Sequence, residues 1–323
     1  PNIYYISSDI MWFKNLFFYR FTKPVPFDLD ELESRLSEGT FKPCDNQEAM
    51  RLGWASPIDQ EGAPFVHVCD KYWMICLKKQ ERILPSSVVT EQVNIKAAEI
   101  EAAQHRKVTR KEKSELKELV TQELLPRSFT KTVRHYAYIC PKDGYMVLNT
   151  SSAKLADELT SHLRNAMGSL PIRVPTLNTA PAALMTAWLS EDDLPPSGFV
   201  LNEESELVTG GEEKATVKYK GMAIGKDQLD QNKALGFQVK KQAFTWEEKL
   251  SFVLSDDFGV KRVKFLDMMQ DKLDDTQAEG AAEKFDAGFA IMALEVDRLL
   301  PALLNAFGGE DTSALITDDE SAA

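Results

Sequence analysis

The chain has 323 residues, of which 43% are hydrophobic and 27% are charged, and its formal net charge is -12. This composition is typical of a globular protein, and no apolar run approaches the roughly 20 residues that a membrane-spanning helix needs. The four cysteines have no CxxC spacing and no histidine cluster beside them. They predict reduced, buried thiols in a cytoplasmic protein and not a zinc site.

The acidic total hides two basic segments. Residues 71–142 contain 15 basic and 8 acidic residues, and residues 214–264 contain 11 basic and 6 acidic residues. An acidic exterior around a basic inner surface would give this pattern, and so would two unrelated solvated faces. Charge alone favours the second interpretation, because a negatively charged protein repels nucleic acid.

The N-terminal half alternates between predicted strands and helices. Residues 1–10 precede Met11 and are interpreted as a leader or upstream extension without an assigned function. Aromatic and β-branched runs predict strands, and leucines at helical spacing predict helices. The strands are 12–21, 65–69, 72–78, 134–140 and 145–149, and the helices are 28–38 and 153–167. This order predicts a central α+β domain of antiparallel sheet and packed helices over 11–87 and 128–190.

Residues 88–127 predict a projecting helical-hairpin arm. Up to Leu124 this segment contains neither glycine nor proline, and its apolar residues recur at helical spacing. Thr109 and Glu112 form a Thr-x-x-Glu capping box, which predicts a turn and a second helix start. Pro126 disfavours a helical conformation at the residue before it, so the second helix should end near Leu124.

The C-terminal part predicts a second α+β region over 191–309. Its first stretch, 191–213, is rich in proline, serine and glutamate and predicts a linker or exposed loop. Three strands within 237–266 and an amphipathic helix around 285–303 follow. The acidic residues 310–323 predict a disordered tail.

No sequence pattern predicts catalysis or cofactor binding. The chain contains no Walker A, GxGxxG, GxSxG, HExxH or EF-hand sequence, and its four histidines are isolated from one another. Ser-x-x-Lys occurs three times, which shows how little that pattern specifies. We therefore predict no catalytic residue, no metal and no cofactor.

Basic side chains are the candidate functional residues, because lysine and arginine neutralise phosphate without reading base sequence. The alternative is a solvated surface with helical pairs such as Lys111–Glu115. Lys218 and Lys220 alternate on a predicted strand and should share one of its faces. The candidate DNA-binding residues are Lys107, Arg110, Lys111, Lys113, Lys117, Arg127, Lys131, Lys218, Lys220, Lys240, Lys261 and Arg262.

Phe129 lies just past the second predicted helix of the arm, in the sequence Leu124-Leu125-Pro126-Arg127-Ser128-Phe129. Ordinary packing beneath the arm is one interpretation. The other is an interface anchor, because aromatic residues are enriched at such positions. The residues alone leave both open.

The chain resembles the RdgC family of recombination-associated proteins in short motifs that occur in order from Met11 to about Glu310. They are Met11-Trp12-Phe13-Lys14-Asn15-Leu16, Phe41-Lys42-Pro43-Cys44, Gly53-Trp54, Lys79-Gln80-Glu81-Arg82-Ile83-Leu84-Pro85, the stretch that ends at Phe129, Gly168-Ser169-Leu170-Pro171, Asp256-Asp257, Lys261-Arg262, Lys264-Phe265, Phe285-Asp286-Ala287 and Gly308-Gly309-Glu310. Residues 214–236 match least clearly, and residues 1–10 have no counterpart in the family.

The resemblance implies a homodimer that closes into a ring, with a basic channel around double-stranded DNA. It implies sequence-independent binding, association with the nucleoid and restraint of RecA-promoted recombination, without enzymatic activity. It also implies that Phe129 lies at a ring interface and that Arg127 contacts DNA. The alternative from another class is an acidic protein-interaction scaffold without a DNA role.

Overall fold

A computed structural model describes residues 12–58, 60, 62–190, 193–211, 213–276 and 280–313. The leader expected over 1–10, together with Met11, lies outside the described residues. So do residues 314–323 of the expected tail.

Antiparallel strands form one 12-stranded sheet. Its strands are β1 (Asn15–Phe21), β2 (Met50–Ala55), β3 (Val66–Cys69), β4 (Tyr72–Ile83), β5 (Phe129–Cys140), β6 (Tyr145–Leu148), β7 (Ile172–Arg173), β8 (Phe199–Thr209), β9 (Thr216–Lys220), β10 (Phe237–Trp246), β11 (Leu250–Ser255) and β12 (Val260–Phe265). Their order across the sheet is β2-β4-β5-β6-β1-β12-β11-β10-β8-β9, while β3 pairs with β4 and β7 pairs with β1.

The helices of the described residues pack on this sheet or on one another. They are α1 (Leu29–Glu38), α2 (Ser86–Gln104), α3 (Arg110–Leu124), α4 (Ala153–Met167), α5 (Pro181–Leu189), α6 (Lys226–Ala234), α7 (Asp267–Asp274) and α8 (Ala281–Ala306). The side chain of Asp28 caps the N-terminus of α1. Gly168 ends α4 with a φ of 75°, a left-handed conformation that favours glycine. The predicted α+β class with antiparallel strands is confirmed.

The first strand joins the two halves of the sheet. Asn15 and Leu16 of β1 pair with β12, whereas Phe17 to Arg20 pair with β6. The two predicted α+β regions therefore share one sheet, and one hydrophobic core extends through both of them.

Each face of the sheet has its own core. On one face, α8 buries Phe289, Met292 and Val296 against residues of both halves, such as Phe13 and Phe244. On the other face, α1 and α4 cover a second apolar cluster of the N-terminal half. Apolar side chains at helical spacing thus close both sides of the sheet, as burial of a hydrophobic stripe requires.

The prediction of a linker or exposed loop over 191–213 is wrong for most of that stretch. Residues 199–209 form β8, which lies between β10 and β9. Ser205 and Leu207 are buried, while the carboxylates of Glu204 and Glu206 pair with cations on other strands. The glutamates suggested a loop by composition, but their alternation with buried residues is that of a strand.

The packed part of the chain continues past residue 309. The side chain of Glu310 is 7% exposed, and its carboxylate pairs with Arg20 and Arg173. It also forms a β-bridge with Leu177. Two arginines and a β-bridge therefore hold Glu310, so the prediction of a disordered tail is wrong for this residue.

Candidate nucleic-acid interface

Two helices carry the first group of candidate cations. α2 and α3 pack against each other through three buried valines, Val89, Val93 and Val120. The connection begins at His105, whose φ of 52° is left-handed. Thr109 and Glu112 form the predicted capping box at the start of α3. The prediction of two helices separated by a turn is confirmed.

Carboxylates already hold some of the cations near this turn. The Nζ atom of Lys107 lies 3.1 Å from Glu101, and that of Lys111 lies 3.8 Å from Glu115. Hydrogen bonds from Arg106 and from Thr109 lower the pKa of the Glu112 carboxyl to about 2. In contrast, three exposed cations have no ion pair within the described residues: Arg110, Lys113 and Lys117.

The segment after α3 presents an exposed aromatic residue between two cations. A short 3-10 helix over 125–127 leads into β5, which begins at Phe129. The Phe129 side chain is 84% exposed, and its register partner Ile83 is 48% exposed. Arg127 and Lys131 are exposed on either side of it. The packing interpretation of Phe129 is therefore wrong within this chain, because a side chain in the core would be shielded from solvent.

Strands β8, β9 and β10 bring together the second group of cations. Lys218 and Lys220 alternate with less exposed residues on β9, which confirms that they share a face. Glu206 of β8 lies opposite Lys218 and accepts ion pairs from Lys218 at 3.2 Å and Lys241 at 2.8 Å. Burial raises the pKa of the Glu206 carboxyl, but the hydrogen bonds from Lys241 and Lys218 outweigh it and lower the pKa below its usual value.

A shallow cavity of about 350 Å³ opens on the same face. Arg262, which has a φ of 53°, pairs there with Glu204. Lys220 and Lys264 also line the cavity, and no carboxylate of the described residues forms an ion pair with either of them. Lys264 belongs to the basic run of β12 and alternates with Arg262 there, although it was not among the twelve candidate DNA-binding residues.

Two further predicted residues, on β10 and β12, pair with carboxylates of the turn between β11 and β12. Lys240 sits where β10 shifts its register against β8, and its Nζ atom lies 2.6 Å from Asp256. The Nζ atom of Lys261 lies 3.9 Å from Asp257. Both lysines therefore have local carboxylate partners, unlike Lys220.

The predicted cations thus fall into three places: the α2–α3 turn with α3, the segment around Phe129, and the strands β9 to β12. Half of them already have carboxylate partners. The others are exposed and have no ion pair within the described part of the chain. We call these six the partnerless cations: Arg110, Lys113, Lys117, Arg127, Lys131 and Lys220.

The described part of the chain shows no metal site, no disulfide and no membrane-spanning helix. Across the described ranges, no group of three or more histidine, cysteine, aspartate or glutamate residues could hold a metal ion. The four cysteines form no disulfide, and Cys76 and Cys140 are buried. No helix in the described ranges combines the length and apolarity needed to cross a membrane.

Comparison with known proteins decides the family. A family model described as "Putative exonuclease, RdgC" matches residues 11–310. The chain belongs to the RdgC family. Relatives named "Recombination-associated protein RdgC" are 38% identical over 302 residues in Psychromonas ingrahamii, covering 94% of this chain and 100% of that protein, and 39% identical over 303 residues in Aeromonas hydrophila, with the same coverage. A relative of that name in Pseudomonas fluorescens is 40% identical over 303 residues, covering 94% of this chain and 99% of that protein.

The RdgC resemblance seen in the sequence motifs is therefore confirmed over nearly the whole chain. The family description and the relatives' names point to different roles, since one names an exonuclease and the other an association with recombination.

Proposed function

We propose that this protein binds double-stranded DNA without sequence preference as a ring-shaped homodimer and thereby restrains RecA-promoted recombination. The observation that carries the proposal is the set of six partnerless cations on a chain whose net charge is -12. An exposed cation without a carboxylate partner can bind a phosphate without first breaking an ion pair. The names of the relatives support a role in recombination.

Ring closure accounts for the exposed Phe129. In a dimer with twofold symmetry each interface pairs a surface with its own copy, so a ring of two chains needs two separate contacts. Phe129 and Ile83 form a small apolar surface that suits one of them, because aromatic side chains dominate the energetics of interface centres. In this arrangement α2 and α3 project as an arm toward the partner, and Phe129 lies at the base of the arm.

Binding in this proposal is electrostatic and non-enzymatic. Lysine and arginine side chains displace condensed counterions from the DNA backbone, and the released ions drive association. Contacts with phosphate fix the position of the protein but carry no base information. Occupied DNA is then closed to RecA, and the protein collects on the nucleoid.

A salt titration tests the binding mode. The logarithm of the association constant should fall linearly with the logarithm of salt concentration, by about 0.9 for each phosphate contacted. Unrelated duplexes of equal length should bind within a few fold of one another. A single preferred sequence, with a loss of about 1–3 kcal/mol per mismatched base pair, would contradict sequence-independent binding.

The same samples separate the competing roles. Absence of salt-sensitive binding would favour the acidic scaffold. Release of nucleotides from end-labelled duplex in the presence of Mg²⁺ would support the exonuclease of the family description and contradict the non-enzymatic part of the proposal.

A further inference from the structure

Arg82 makes an unusual set of contacts near the end of β4. Its guanidinium donates hydrogen bonds to three backbone carbonyl oxygens, from Nε to Glu48 at 3.1 Å, from Nη1 to Ser128 at 3.3 Å and from Nη2 to Asp45 at 3.2 Å. No ion pair joins it to a carboxylate of the described residues. The side chain is half-buried, so its charge is used to hold the backbone in place.

The contact with Ser128 links the two ends of the helical pair. Arg82 lies four residues before the start of α2, and Ser128 lies between the 3-10 helix and β5. Ser128 is itself fixed, because its backbone N–H and its hydroxyl both donate to the carbonyl oxygen of Leu125, at 3.1 Å and 2.7 Å. Arg127 precedes Ser128 and Phe129 follows it. The guanidinium therefore holds the backbone that carries both of these exposed side chains.

The other two contacts anchor Arg82 to a segment that is fixed independently. Residues 43–48 are held by Arg51, which donates to the Pro43 carbonyl oxygen at 3.0 Å and pairs with the carboxylates of Asp45 and Glu48. The backbone N–H of Cys44 donates to the Gln80 side chain at 2.8 Å. Arg82 thus connects the Arg127–Phe129 segment to the loop that precedes β2.

We propose that Arg82 is a positioning residue that sets the orientation of the Arg127–Phe129 segment for closure of the ring. This inference rests on the proposed function. Arginine suits the task because its planar fork of N–H donors can span several carbonyl groups, whereas a lysine ammonium is a compact point charge on a flexible stem. Arg82 then acts through Phe129 without itself touching DNA or the partner.

The test compares retention on closed circular DNA with affinity for short linear duplex. Arg82→Gln removes both the guanidinium donors and the positive charge, whereas Arg82→Lys keeps the charge but lacks the planar set of donors. Both should shorten retention on the circle by about tenfold, the effect of losing one hydrogen bond from a charged donor. Both should affect the salt slope of linear-duplex binding to the same extent, by at most about 0.9, the contribution of one phosphate contact from Arg127. Arg20→Gln is the matched control, because Arg20 also donates to a backbone carbonyl oxygen, that of Asp143 at 2.7 Å, but lies on β1, which pairs with neither β4 nor β5. Retention of this variant should stay near that of the unaltered protein.

A double-mutant cycle with Phe129→Ala tests whether Arg82 acts through Phe129. If Arg82 acts through Phe129, adding Arg82→Gln to Phe129→Ala causes no further loss of retention. Additive losses would overturn the proposal, and so would an Arg20→Gln defect as large as that of Arg82→Gln. A shallower salt slope in Arg82→Gln with a normal slope in Arg82→Lys would also overturn it, since Arg82 would then contact phosphate directly. If Phe129→Ala alone leaves retention unchanged, the proposed ring interface fails, which is a separate result.

Discussion

Whether a carboxylate already holds a lysine decides how readily that lysine meets a phosphate. Glu206 accepts ion pairs from Lys218 and Lys241, and Glu204 accepts one from Arg262. DNA must displace these carboxylates before it gains the cations. These glutamates of β8 are therefore internal competitors of phosphate, and strand register places Glu206 directly beside the two lysines that it holds.

Removal of one competitor should strengthen DNA binding. Glu206→Gln is close to isosteric, removes a negative charge and releases two lysines. We expect affinity for duplex DNA to rise about three- to tenfold, up to about 1.4 kcal/mol. The salt slope should steepen by up to about 1.8, or 0.9 for each released lysine. A fluorescence titration at several salt concentrations measures both quantities.

The matched control for this prediction is Glu203→Gln. Glu203 is exposed on the same strand and forms no ion pair with a described residue. Glu203→Gln removes the same charge as Glu206→Gln but releases no cation, so the salt slope of DNA binding should not change. Equal slopes for the two variants would show that overall charge, and not ion-pair exchange, controls binding.

The turn between β10 and β11 contains backbone strain, because two of its non-glycine residues have positive φ values. The turn from β10 to β11 places Glu247 and Glu248 at φ values of 48° and 57°. The N–H of Lys249 donates to the carbonyl oxygen of Trp246 across this turn at 3.0 Å. Two-residue turns with both central residues in this left-handed region favour asparagine and glycine, because a Cβ atom is crowded there.

Replacement of one of these glutamates should stabilise the fold. Glu248→Gly relieves the crowding at a φ of 57°, and we expect the free energy of unfolding to rise by about 0.5–1 kcal/mol after the entropy cost in the unfolded chain. Denaturation by urea measures the change. Glu248→Ala removes the same charged side chain but keeps the Cβ atom, so it should show no gain. Equal effects of glycine and alanine would attribute the result to the carboxylate.

The sequence was a good guide to elements whose signals are local. α4 spans the predicted 153–167, since Ser152 caps one end and Gly168 ends the other. The capping box of Thr109 and Glu112 located the start of α3. β8 was missed because its glutamates are satisfied by Lys218, Lys241 and Arg262, which are far away in the chain.

The exposure and ion pairing of the candidate site residues were harder to predict, because they depend on contacts between residues far apart in the sequence. The chain alone could not decide between a packed and an exposed Phe129, because the answer depends on how β5 pairs with β4. It also could not separate the partnerless Lys220 from the paired Lys218, two residues away on the same face. Strand register, which determines these pairs, is not visible in composition.

For the whole molecule, the proposed function makes restraint of RecA a consequence of DNA occupancy. If the protein acts by covering DNA, inhibition of strand exchange must follow DNA affinity across variants. If it acts by capturing RecA through its acidic surface, a variant can lose DNA affinity and still inhibit strand exchange.

A triple variant distinguishes these mechanisms. Arg110→Gln, Lys113→Gln and Lys117→Gln remove three partnerless cations of α3, and the salt slope should fall by about 2.7. Inhibition of strand exchange should weaken in proportion to the loss of affinity for DNA. The fold should survive, since exposed charge changes usually cost about 0.5 kcal/mol or less each. Lys23, Lys142 and Lys154 are exposed lysines elsewhere, and their glutamine variants control for charge. Full inhibition despite lost DNA binding would rule out occupancy.

The pairing of β1 with β12 also has a consequence for synthesis of the chain. Asn15 pairs with Lys261, which the ribosome adds 246 residues later. At about 5–20 residues per second, the N-terminal strand waits roughly 12–50 s for this neighbour. The helix α8, which covers Phe13 and Tyr138, emerges later still. A nascent chain therefore carries an unpaired strand edge and an uncovered apolar face for most of its translation, and chaperones have that interval in which to bind it.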